Sequence, residues 1–256
     1  VNIIVCMKQI PARDAPLRFD METGWVREQD TGFETNEADQ HALEEALRLK
    51  ETFGGNVLAA SLGPERTAQT LRDALAKGAD RALHIVDDHY YELEPLHLAT
   101  AFMGALRAEH FDLILTGLQS DDQGFGQTGV MLAEFLNVPH VSIVTQILLD
   151  GESLRARRDV GGGWFQWVVT RLPCVLTVQA GINRPRYATM KGIMAAKTKP
   201  ILHIPRAQIL TNPLSRTQRT TRVSLPEGGR ATEFLEGAPA DIAARLFTKL
   251  PSGIRG

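Results

Sequence analysis

The feature that most constrains this chain is a rhythm: across the first half, short apolar runs alternate with longer stretches of helical periodicity. Residues 2–7 (NIIVCM) make the first run, closed off by Pro11, and read as a buried strand. Asn36 then opens a helical pattern in which Ala38, His41, Ala42, Ala46 and Leu49 alternate with Glu44, Glu45, Arg48 and Lys50, until Gly54 and Gly55 stop it. Further strands are predicted over 56–62, 81–87 and 112–117. The helices between them carry Ala68, Leu71, Ala74 and Leu75 up to Gly78 and, after Pro95, Leu98, Phe102, Ala105 and Leu106; another helix runs to Leu136. Strands joined by helices of ten or more residues imply βαβ crossovers and a parallel sheet covered on both faces.

After Pro139 the pattern changes. The runs 141–149, 153–158, 164–172 and 174–179 leave little room for helices and predict two hairpins joined to the sheet. Beyond Pro200 the chain is polar and punctuated by proline, with one short amphipathic helix near 241–247. Such a tail has little core of its own and is expected to lie against a partner.

Composition narrows the function classes. With 43% hydrophobic and 23% charged residues the chain is an ordinary globular one, and its formal charge of −2, with both signs interspersed, gives no basic field for nucleic acid or an anionic membrane surface. No run approaches the roughly 20 apolar residues of a membrane helix. Cys6 and Cys174, far apart, exclude a disulfide framework and fit a reducing compartment. The expectation is a soluble protein of the bacterial cytoplasm or, in a eukaryote, the mitochondrial matrix, without membrane insertion.

The most informative local feature is the loop from Gly117 to Gly129, GLQSDDQGFGQTG, set between a strand end and a helix start. In open α/β sheets ligands bind at the carboxyl ends of the strands, where strand order reverses, and a helix N-terminus offers free N–H groups and a positive dipole end to a phosphate. Gly124 and Gly126 allow close backbone approach, while Gln127 and Thr128 put donors in the first helical turn. GFGQTG satisfies the letters of GxGxxG, but the dinucleotide fingerprint sets its first glycine tight against the first strand, and this loop follows the fourth. No P-loop lysine follows the glycines, so nucleoside triphosphate hydrolysis is unsupported. The histidines lack metal-ligand spacing, DDHYYELE around His89 reads as an exposed loop, and no GxSxG elbow or paired catalytic carboxylates stand out, so neither a metal nor a catalytic residue is assigned. Trp164, Phe165 and Trp167 read as hairpin core or subunit interface.

Residues 158–199, RDVGGGWFQWVVTRLPCVLTVQAGINRPRYATMKGIMAAKTK, strongly resemble the signature of electron transfer flavoprotein beta subunits: an arginine and an acidic residue before a glycine pair, LP before a strand, then NxPRYxx and IMxAKxK. NEADQHALEEALRLKE, SLGP, ALAKGADRALH and the GQTG loop extend the likeness over nearly the whole chain. The resemblance implies an adenine-nucleotide-hydrolase-like (flavodoxin-like) α/β domain with a β-hairpin extension and a partner-recognition loop over 1–200. A C-terminal arm over 201–256 would contact an alpha subunit that holds most of the FAD. It also implies an electron carrier rather than an enzyme, with one AMP held as a structural cofactor by Cys6, Asn36, Asp39, Leu62, Gly117, Gln119, Asp122, Gly126, Gln127 and Thr128. Backbone and amide groups would hold the purine and the helix N-terminus the phosphate. Where the family commonly has asparagine before the glutamine of this loop, the chain has Gly126. Electron-bifurcating relatives carry FAD in place of AMP and favour a DGDTAQVGP-like loop, whose proline and acidic pattern are missing here. Some relatives place aromatics against the flavin where this chain has Arg13 and Ala38.

By the same resemblance, the segment from Tyr187 to Lys199 is the loop that docks on flavin dehydrogenases, which pass electrons through FAD to a quinone-reducing acceptor. Met190 would be the apolar anchor and Tyr187, Ile193 and Met194 its surroundings, with Lys191, Lys197 and Lys199 as a basic rim. The donor would be an acyl-CoA or amine dehydrogenase; SDDQ and LPEGGRATEFLEG look closer to the methylotroph branch that serves amine dehydrogenases. The competing readings are a stress-type nucleotide-binding module and a nicotinamide-linked oxidoreductase, neither of which needs NRPRYATM and a lysine-dotted helix.

Overall fold

Each strand and helix expected in the first half is present, together with elements that the periodicity did not announce. The computed structural model describes all residues except 17, 21–23, 152, 210–214, 218–223, 225–231 and 251–256. In chain order the elements are β1 (Asn2–Met7), β2 (Gln9–Pro11), β3 (Phe33–Thr35), α1 (Glu37–Phe53), β4 (Asn56–Gly63), α2 (Ala68–Lys77), β5 (Arg81–Val86), α3 (Pro95–Leu106), β6 (Leu113–Gly117), α4 (Thr128–Leu136), β7 (His140–Asp150), β8 (Ser153–Gly161), β9 (Trp164–Arg171), β10 (Cys174–Val178), α5 (Met190–Thr198), β11 (Ile201–Pro205), α6 (Arg206–Ile209) and α7 (Pro239–Lys249).

The main sheet runs β11-β5-β4-β1-β6-β10-β7-β8-β9, while β2 and β3 form a separate antiparallel pair. It is parallel from β11 through to the β10–β7 pair, and antiparallel between β7, β8 and β9. Because a strand's side chains alternate between faces, β1 divides its apolar residues between two cores. Ile3, Val5 and Met7 pack with α1 and α2 on one face, and Ile4 and Cys6 with α3 and α4 on the other. Strands buried on both faces read as unbroken apolar runs, which is why β1 and β4 were legible.

The two expected hairpins share β8, which pairs with both β7 and β9. The fourth run of that region does not extend them. β10 returns to the sheet interior, parallel to β6 on one side and to the first part of β7 on the other, because CVLTV is apolar enough to be buried on both faces. β7 therefore changes partners along its length. Near the change Ile143 adopts φ 60°, a left-handed conformation costly for a β-branched residue. After Pro200 the chain adds β11 beside β5 before the polar tail begins.

The chain divides into two compact units, Val1–Thr221 and Arg222–Gly256. In the second, Pro239 opens α7 at a position where proline costs nothing. The helix covers the expected 241–247 and keeps Leu246 and Phe247 exposed.

Candidate functional site

The chain order β1, β4, β5 runs outward on one side of β1 and then jumps to β6 on its other side, so strand order reverses between β1 and β6. Their carboxyl ends open a pocket of about 780 Å³, counted to its open mouth. It is lined from β1 and the residue beyond it by Cys6, Met7 and Lys8, from the start of α1 by Asn36 and Asp39, and from β4 by Leu62. Thr116, Gly117 and most of the following loop, including Gln119, Gly126 and Gln127, line the other side, with Thr128 and Gly129 heading α4. Tyr90, Leu98 and Phe102 supply an apolar wall. Nine of the ten residues expected for the nucleotide thus meet in one cavity. The tenth, Asp122, stands beside it, bonded to Lys8 at 2.7 Å.

Several of these side chains hold the pocket's frame. Asp39 spans the two strand ends: one oxygen accepts the Lys8 N–H and the other the Gly117 N–H, both at 2.8 Å. Burial pushes its carboxyl up to about 7, against the pull of those two donors and of Asn36. Burial also holds the Cys6 thiol well above its ordinary range, with the Asp39 charge adding to the effect. Asn36 stands at the N-cap of α1 but does not cap it. Its amide instead donates to the Gln119 carbonyl at 3.0 Å and accepts the Asp121 N–H at 3.1 Å, fastening the loop to the helix. Arg13 adds ion pairs to Glu37 and, at 2.7 Å, to Asp121.

Two glycines admit no side chain. A Cβ on Gly117 would stand 2.3 Å from Asp39 Oδ1, and one on Gly129 2.6 Å from Thr116 Oγ1. Gly129 therefore lets the first turn of α4 close onto the sheet with its unpaired N–H groups at the cavity. Gly126 has φ 63°, a left-handed conformation that glycine adopts without steric cost, so the loop can turn here beside the cavity.

Lys8, Tyr90, Leu98 and Phe102 are pocket residues that sequence reasoning missed. Tyr90 came from the segment expected as an exposed loop, which is instead largely packed down: Asp87, Tyr90, Leu93 and Glu94 are all buried. The Tyr90 hydroxyl donates to Glu28 at 2.8 Å and accepts from Arg66 and Trp25, so polar partners draw the ring inward. Among the described residues no group of three or more histidine, cysteine or acidic side chains is placed to hold a metal, and no helix is long and apolar enough to cross a membrane.

The second candidate surface lies at α5. Asn183 donates to the His41 carbonyl and to Glu45, both at 3.0 Å, and its carbonyl oxygen meets His41 Nδ1 at 3.1 Å. Arg186 grips Glu44 and Glu51 on the same helix, α1. Thr189 caps α5 by accepting the Gly192 N–H at 3.0 Å, and Arg72 holds the Ala196 carbonyl at 2.7 Å. On this anchored base Tyr187 is 91% and Met190 75% exposed, with Ile193, Met194, Lys191 and Lys197 also in solvent. Lys199 departs from the expected basic rim. Its ammonium turns in to the Ala79 carbonyl at 2.8 Å, because the chain entering β11 brings it against the end of α2.

The aromatics of β9 are not hairpin core. Trp164, Phe165 and Trp167 are exposed, since β9 is the outermost strand and nothing among the described residues lies beyond it; Arg157 stacks over Phe165 and Arg155 over Trp167.

Fold and site together define an α/β protein with a helix-headed pocket at the switch point of a parallel sheet. Residues 23–208 match the electron transfer flavoprotein domain family. The chain is 35% identical to the electron transfer flavoprotein subunit beta of Methylophilus methylotrophus, over 96% of this chain and 97% of that one. Against the subunit beta of Bacillus subtilis it is 33% identical over 98% of each, and against the human one 34% over 78% of this chain and 80% of that. The chain belongs to the electron transfer flavoprotein family.

Proposed function

We propose that this chain is the beta subunit of a heterodimeric electron transfer flavoprotein. In this reading it binds AMP as a structural cofactor and carries electrons between other proteins without catalysing turnover itself. The carrying observation is the pocket at the β1/β6 switch point, which joins the free N–H groups of α4, suited to a phosphate, to an apolar wall of Leu62, Tyr90, Leu98 and Phe102, suited to a purine. The ten residues Cys6, Asn36, Asp39, Leu62, Gly117, Gln119, Asp122, Gly126, Gln127 and Thr128 are assigned to it, several of them through the frame they build. AMP here stabilises the fold by binding the native state alone.

FAD, held mainly by an alpha subunit, supplies the redox chemistry when bound. Residues 1–200, with β11 added at the edge of their sheet, form the nucleotide-binding body with its hairpin extension, and the remainder of 201–256 is an arm on the alpha subunit. The exposed aromatics of β9 and the unburied α7 support two further contacts with that subunit. Tyr187, Met190, Lys191, Ile193, Met194 and Lys197 dock on a flavin dehydrogenase, with Met190 as anchor.

The test is to purify the complex with its alpha subunit, release the nucleotides by mild denaturation, and count them by absorbance and chromatography. One FAD and one AMP per heterodimer support the reading. Two FAD would mean electron bifurcation, and no adenine nucleotide on this chain would overturn the site.

A further inference from the structure

A lysine in a pocket built for a phosphate ordinarily reads as its counter-ion. The geometry of Lys8 leaves no room for that. An ammonium has three hydrogens, and three acceptors already take them: Asp122 Oδ1 at 2.7 Å, Gln123 Oε1 at 2.8 Å and Ser120 Oγ at 3.2 Å. All three sit on one turn of the glycine loop. The backbone N–H of Lys8 is tied to Asp39, so the residue is fixed at both ends. Loss of water lowers the Lys8 pKa and the facing Asp122 charge opposes that loss, so the ammonium is held there by its partner. Asp122 depends on the lysine in return. Its side chain is 7% exposed, Oδ1 also accepts the Gln123 N–H at 2.8 Å, and Oδ2 is buried with no partner among the described residues.

We propose that Lys8 is a positioning residue of the nucleotide site, fixing the 120–123 turn through Asp122 and leaving the ligand's phosphate to the N–H groups that head α4. The inference rests on the AMP reading above. Its consequence follows from continuity of the loop: Gln119 on one side of the turn and Gln127 on the other both line the pocket. Removing the lysine strands a buried carboxylate, which costs more than one lost contact. The whole loop then shifts, and base, sugar and phosphate lose their places together. A phosphate counter-ion would behave differently, being felt only by ligands that carry a phosphate.

The experiment titrates the nucleotide-stripped full chain with AMP and with adenosine by calorimetry, for the native sequence, Lys8→Met, Asp122→Asn and the double variant. Lys8→Met is expected to weaken both ligands by the same factor, at least about tenfold. The ratio of AMP to adenosine affinity stays unchanged, and the double variant, with no charge left to strand, binds more tightly than Lys8→Met alone. If Lys8→Met does not fold, Gln123→Ala removes one acceptor and no charge and is expected to give a smaller loss, again equal for the two ligands. A loss confined to AMP, unchanged binding of both ligands, or strictly additive effects would overturn the proposal and leave the AMP reading standing. A native chain that binds neither ligand would overturn that reading and the proposal with it.

Discussion

Replacing Asp39 with asparagine sets two opposing effects on one carboxyl against each other. The side chain is buried, which disfavours its charge, while two backbone N–H donors at 2.8 Å favour it. Burial wins, raising the pKa from 3.8 to about 7. The sign of the pH effect follows. Below the unfolded value the group is protonated in both states; between about pH 4 and pH 7 the folded chain keeps a proton that the unfolded chain has released; above that, both are ionised and the full cost stands. Stability is therefore lost as pH rises through this window. A shift of roughly three units at 1.36 kcal/mol each amounts to about 4 kcal/mol. Asparagine does not titrate, so the stability of the native sequence minus that of Asp39→Asn should fall by about this amount from pH 4 to pH 7, the other groups cancelling in the difference. Urea unfolding at half-unit pH steps measures it, on nucleotide-free protein because a bound ligand would add its own stabilisation. A difference that stays flat or rises with pH would refute the reasoning, since the two N–H bonds would then outweigh burial.

Three other substitutions test the frame and the proposed docking surface. Gly117→Ala puts a Cβ 2.3 Å from Asp39 Oδ1 and 2.8 Å from Ala38 Cβ, and is expected to cost about 1–3 kcal/mol in urea unfolding and to lower the nucleotide content of the purified protein. Met190→Ala, at a 75% exposed position, should leave stability within about 0.5 kcal/mol. It should weaken binding to a flavin dehydrogenase by about tenfold or more in surface plasmon resonance, and an unchanged affinity would remove Met190 as the anchor. Asn183→Ala strips the His41 and Glu45 contacts. It should cost about 1–3 kcal/mol and speed hydrogen exchange across 183–198 while leaving 117–129 unchanged.

The first half of the fold was legible because each main-sheet strand there is a single apolar run, separated from the next by a helical stripe. The placement of β10 was not, since CVLTV says that a strand is buried and not which strands flank it; its position between β6 and β7 is decided by the whole sheet. β2 and β3 are three residues each and carry no period to read. The pocket was partly legible, because the glycine loop and the NEAD turn are local signals. Lys8 and Phe102 enter it only through tertiary convergence. Lys8 did carry one usable clue, its position immediately beyond the carboxyl end of β1, where ligands of such sheets gather. Asn36 precedes the helical stripe, is expected at the nucleotide and lies at the cap of α1, but its amide bonds the loop 83 residues away, which no local pattern reveals.

The exposed outer face of the hairpins has a cost of its own. Among the described residues β9 ends the sheet with an unpaired backbone edge, and it offers Trp164 at 75% and Val169 at 67% exposure. An open, apolar edge strand is a template for pairing with any other exposed strand, including another copy of itself. Newly made chains are thus exposed to misassociation until that edge is covered, so synthesis without a covering partner should lower the soluble yield relative to co-synthesis.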